Sequence, residues 1–149
     1  MNQYTLSILA ILGGVFLAAQ GGFNSSLGVV LRNPFLASVV AFFFSTFFAI
    51  LFLVFNQNKI PNISVIKSVP LHLWFTGGLL SVIGISIYYY TIPKLGISTM
   101  ISLGLFGQLT FSIIAGHFGW LNLPIEPLSI KKALGFLSML LGILLINIK

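Results

Sequence analysis

The residues able to do chemistry in this chain are few, and most of them sit inside apolar runs. Gln20 and Asn24 are one helical turn apart, surrounded by Gly21, Gly22, Ser25 and Ser26. Gln108 follows Gly104 and Gly107 in another apolar run, and Ser45 and Thr46 interrupt a third. Ser81, Ser86 and Ser102 are minor additions, and His117 stands beside Phe118, Gly119 and Trp120. A polar group inside a membrane span is costly unless it is paired or faces a cavity, so each is a default site candidate. Carboxamides both donate and accept hydrogen bonds without carrying charge. The chemistry they offer is recognition of a neutral or weakly polar solute rather than a bare cation. The substrate-binding candidates are therefore Gln20, Asn24, Gln108, Ser45 and Thr46, with His117 and Ser102 secondary. The competing account is that the amides only join helices, since such bonds are common and worth roughly 0.6 to 2 kcal/mol. For any one amide the two accounts are equal; three in a chain of so little polarity favour a shared polar cavity. A lone His at a span end is more often an interfacial hydrogen-bonder than a proton relay or metal ligand.

What is missing narrows the chemistry further. There is no Asp and no Cys, and the only acid is Glu126, between Pro124 and Pro127. Paired-carboxylate catalysis, Ser-His-Asp triads and thiolate or carboxylate metal sites have no residues to build them, so no enzyme activity, cofactor or metal is expected. Proton exchange through a buried acid is equally unsupported for this chain alone. The net charge of +6 does not point to nucleic acid. Arg32, Lys59, Lys67, Lys94, Lys131, Lys132 and Lys149 are scattered between apolar runs rather than gathered into a patch, as lipid-headgroup and topology charges are.

The elements that must position the amides are membrane helices. Charged residues make up 5% of the 149 residues and hydrophobic ones 58%, too little polarity to cover a soluble fold, so the bilayer is the expected solvent. A hydrocarbon core of about 30 Å needs about 20 apolar residues as helix. Five stretches meet or approach that, over about 4–31, 35–55, 71–92, 95–118 and 133–148, which predicts an all-α integral membrane protein forming a single transmembrane domain. Asn33-Pro34 opens the second span, because proline suits a helix start and restricts the residue before it. The polar stretch from Asn56 to Pro70, Pro93-Lys94, and Asn122 to Lys132 supply the other breaks. Trp74, Trp120, Tyr4 and the triplet Tyr88 to Tyr90 lie near span ends, where an aromatic belt is expected. The first span lacks a basic start, and Leu17-Ala18-Ala19 is a poor cleavage site, so it reads as retained rather than as a removed leader. Small residues at Gly14, Ala18, Gly22 and Ser26, and at Gly77 and Ser81, have the spacing of close helix packing.

Basic residues near span ends set orientation. Lys59, Lys67, Lys131 and Lys132 fall on one side, and Arg32, Lys94 and Lys149 on the other. So small a bias is compatible with a fixed cytoplasmic N-terminus or with dual topology, in which two copies pair antiparallel.

The order and spacing of several short segments resemble the YdcZ family of small bacterial membrane proteins, placed in the drug/metabolite transporter superfamily. The segments are Gln20 to Gly28, Pro34 with Ala37 and Phe44-Ser45-Thr46, Trp74 with Gly77 to Leu80, and Pro93 to Gly96. Gly107-Gln108-Leu109, His117-Phe118-Gly119, and Gly135 with Gly142 complete the set. The resemblance implies a five-helix unit of the inner membrane working as a pair, an antiparallel homodimer or a heterodimer with a paralogue, with Gln20, Asn24 and Gln108 facing the shared interior. One departure stands out: the family commonly has an acid directly before the His-Phe-Gly turn, where this chain has Gly116. The expected function is a small-solute transporter subunit working by alternating access. The alternatives are a dual-topology ion channel and a non-transporting accessory subunit.

Overall fold

A computed structural model describes residues 2–55, 61–122 and 124–148, and every regular element in them is helical. Helix α1 is Gln3–Val30, α2 Pro34–Phe55, α3 Ile63–Ser68, α4 Leu71–Leu95, α5 Ile97–Phe118 and α6 Ile130–Asn147, with a short 3-10 turn at Trp120–Asn122. All but α3 are long and apolar enough to cross a membrane, giving the five spans expected. Lys59 and Lys149, two of the charges weighed for orientation, lie outside the described residues.

Local chemistry explains where the helices start and stop. Asn2 caps α1, its Oδ1 accepting from Thr5 N at 2.9 Å. At the other end Arg32 takes a left-handed backbone conformation (φ 52°), and Asn33 N donates to Gly28 O at 3.0 Å. The same Asn33 then caps α2, its Oδ1 accepting from Phe35 N at 3.0 Å and Leu36 N at 3.1 Å, while Pro34 fills the first helical position, where no N–H is needed. One short turn thus closes one helix and opens the next, and so sets α1 and α2 side by side and antiparallel.

Two boundaries and one additional helix differ from the sequence reading. Pro93 does not end its helix; α4 runs through it to Leu95, and the break falls at Gly96, whose φ of 86° suits glycine. A proline in the last turn removes a single hydrogen bond near an end where carbonyls are unpaired in any case. Helix α6 begins at Ile130, ahead of the apolar run, because Ser129 caps it by accepting from Lys132 N at 3.2 Å. The polar stretch between the second and third spans also contains the short helix α3.

The chain forms two compact units, Met1–Lys94 and Leu95–Lys149. In the first, Ala37, Ala41 and Tyr89 form the buried core, with Leu27, Ile85 and Tyr88 against it. A buried hydrogen bond at 3.0 Å joins Ser38 on α2 to Ser86 on α4. In the second, α5 packs on α6 through the stacked rings of Phe106 and Phe136, 5.0 Å between centroids. Most large apolar side chains point outward, as helices bathed in lipid require.

Candidate functional site

Gln20 and Asn24 are four residues apart on α1 and therefore share a face. Gly21, between them, is buried; a Cβ there would lie 3.6 Å from Ile92 Cδ1, so the missing side chain lets α4 come in close. On α4, Ser86, Tyr89 and Ile92 repeat every three residues and are the buried positions of that helix. Ser86 meets Ser38, Ile92 meets Gly21, and Tyr89 between them reaches the two amides. Gln20 Nε2 donates to Tyr89 Oη at 2.9 Å and Asn24 Nδ2 donates to the same oxygen at 3.0 Å. The tyrosine is only 1% exposed, whereas both amides are half-buried.

At Tyr89 this arrangement corrects the reading of the tyrosine triplet as an aromatic belt. Consecutive helical residues point about 100° apart, so three tyrosines in a row face different surroundings. Tyr90 is exposed, with Lys94 Nζ 3.4 Å from its ring centroid, and Tyr88 flanks the core. Tyr89 alone turns fully inward. The sequence does carry a signal for it: the three-residue repeat Ser86, Tyr89, Ile92 marks an inward stripe of helical period.

The cluster has a definite chemical character. A phenol oxygen can accept two hydrogen bonds and donate one. With both amides donating to it, Tyr89 keeps its own proton to offer, while each carboxamide carries a carbonyl oxygen and a second N–H. The group is uncharged and rich in both donors and acceptors.

The other candidates lie elsewhere. Ser45 and Thr46 are on α2, exposed, one turn beyond the core residue Ala41. Gln108, Ser102 and His117 belong to the second unit. Gln108 is exposed on α5. Ser102 is buried, donates to Thr99 O at 3.0 Å and accepts from Asn147 Nδ2 at 3.4 Å. His117 is exposed, and its Nδ1 accepts from Leu128 N at 3.2 Å, tying the following loop to the end of α5. That loop also brings Glu126 onto Gly116, with Glu126 N donating to Gly116 O at 2.8 Å, and its carboxylate pairs with Lys132 at 2.9 Å. The structure therefore brings together Gln20 and Asn24, adds Tyr89, and does not gather Ser45 and Thr46 into the same hydrogen-bonded group. Among the described residues no cluster of metal-ligating side chains occurs.

Membrane-spanning helices with an uncharged polar cluster fit a transport protein, and comparison of the sequence with known families is decisive. The family described as "Putative inner membrane exporter, YdcZ" matches residues 5–145. The chain belongs to the YdcZ family. Membership covers nearly its whole length, including Gln20, Asn24, Tyr89 and Gln108, and makes it a transport protein of the inner membrane. No curated protein and no solved structure matches the chain.

Proposed function

We propose that this chain is a subunit of a small-solute exporter that carries a neutral or weakly polar substrate by alternating access. Gln20, Asn24 and Tyr89 are the solute contacts of the first unit, and Gln108 that of the second. Ser45 and Thr46 contribute along α2. The whole chain acts as a single transmembrane domain, and two such chains pair antiparallel, as a homodimer or with a paralogue. The observation that carries this reading is the shared Tyr89 oxygen, which holds two amides in a fixed orientation without using either carbonyl. A transport site needs such preorganised but incompletely engaged groups, because the solute must bind and then leave. The absence of Asp from the chain, together with the pairing of its single acid, Glu126, with Lys132, supports an uncharged substrate over a cation. Near-balanced loop charges support insertion in both orientations, and pairing of inverted copies would supply the symmetry that alternating access exploits.

The test is reconstitution into vesicles loaded with a mixture of neutral metabolites. The wild type is expected to release a subset of them, and Gln20→Ala and Asn24→Ala to lose most of that release while remaining folded. Undiminished release by both variants would count against the site. Tags read on both sides of intact cells would show whether the chain inserts both ways.

A further inference from the structure

The first unit also carries a groove unlike the amide cluster, of about 410 Å³, between the start of α2 and the second half of α4. Pro34, Phe35, Ile83, Ile87 and Tyr90 form its walls, and the hydroxyls among the lining residues are those of Ser86 and Tyr90. The Ser86 hydroxyl is already bonded to Ser38, and the Tyr90 phenol is engaged with Lys94. The groove can therefore give a polar solute little in exchange for its hydration. It suits a hydrocarbon chain.

Charge decides what kind of chain. Tyr90, in the wall, holds the ammonium of Lys94 over its ring at 3.4 Å from the centroid. Helices that alternate direction across a membrane place the end of α1, the start of α2 and the end of α4 on one side. Arg32, two residues before Pro34, is on that side with Lys94. Neither cation has a carboxylate of its own unit to pair with, since the single acid, Glu126, belongs to the second unit and is bound to Lys132. Asn33 already caps the first amides of α2, so the positive field at this end comes chiefly from the two side chains. An apolar groove ending at unneutralised cations in the headgroup region matches an acyl chain that ends in a phosphodiester.

We infer that this groove holds one acyl chain of an anionic phospholipid, with its phosphate on Lys94 and within the field of Arg32. The lipid fills a packing defect on the α2–α4 face and neutralises charge that the chain cannot neutralise itself. The proposal is independent of the solute site.

Native mass spectrometry of the full-length protein in detergent tests it, with phosphatidylglycerol and phosphatidylcholine of identical acyl chains added in equal amounts. The wild type is expected to retain phosphatidylglycerol over phosphatidylcholine about five-fold, the contribution of roughly one basic side chain at a membrane surface. Lys94→Gln should lose most of that preference, and Lys94→Arg should keep it. Ile87→Trp, which fills the groove, should reduce retention of both lipids. Equal retention of the two lipids by the wild type, or an unaltered preference in Lys94→Gln, overturns the proposal. So does an Ile87→Trp protein that falls from dimer to monomer with its lipid content unchanged, since the occupant would then be a second copy of the chain.

Discussion

The helices within each of the two units are joined in different ways. In the first, polar side chains of one helix bond those of another: Ser38 to Ser86, and Gln20 and Asn24 to Tyr89. Asn24 and Tyr89 are each six residues, or about 9 Å, from the end of their helix. In the second, the corresponding bonds use a loop or a helix terminus. Asn147, the last residue of α6, reaches Ser102; His117 and Gly116 hold the loop through Leu128 and Glu126; and Lys132 pairs with Glu126. The middle of that unit is joined instead by the Phe106–Phe136 stack. Bonds at a membrane surface compete with water, whereas those in its interior do not. On the proposed function, the polar groups of the first unit are the ones that recognise a solute, and these contacts of the second brace it.

The largest effect should come from the residue at the centre of the first unit. Tyr89→Ala removes the biggest buried side chain and leaves two amides without their acceptor. A loss of about 3 to 5 kcal/mol is expected from the cavity, read as a large fall in the thermal midpoint of detergent-solubilised protein. Tyr89→Phe keeps the ring and removes only the oxygen, so it should cost only about 0.6 to 2 kcal/mol of stability, while transport falls severely. A Tyr89→Phe protein with normal transport would reduce the cluster to a brace like those of the second unit and erase the contrast. A step below, Gly28→Leu should cost about 1 to 3 kcal/mol by overpacking the α1–α2 contact. Gly28→Ala should be tolerated, because a Cβ there sits 3.5 Å from Ala37 Cβ and from Pro34 Cα, ordinary contact distances.

Part of this contrast is legible in the amino-acid sequence. Span number follows from hydrophobic run length, and the Asn33-Pro34 junction is a local signal that cap chemistry alone explains. Gln20 and Asn24 stand out because polar groups are rare in apolar helices. Tyr89 is harder to see, since a run of three tyrosines near a span end invites an interfacial explanation and its partners are more than sixty positions away in the chain. The Ser38–Ser86 pair is hidden for the same reason: serines are ordinary in membrane helices, and nothing local says which of them face each other. The docking of Glu126 on Gly116 is a tertiary event between a loop and a helix end, and no periodicity encodes it.

Within the first unit, the serine pair offers a finer measure of depth. Ser38→Ala and Ser86→Ala should be coupled by about 0.6 kcal/mol in a double-mutant cycle. The coupling should resist salt, because neither partner is charged and both are buried.

The smallest effect should lie in the second unit, at the most conspicuous electrostatic contact in the chain. Lys132 and Glu126 are 41% and 67% exposed, so water and ions screen their attraction and both long side chains lose freedom in making it. Glu126→Gln should cost no more than about 1 kcal/mol of stability, read from the thermal midpoint, and added salt should reduce the difference further. The loop should stay in place, because Glu126 N and Leu128 N are bonded to α5 through backbone donors that the substitution leaves intact. A large, salt-resistant loss in Glu126→Gln would mean that the ion pair is shielded from water in the membrane. The second unit would then share the interior polar character that distinguishes the first.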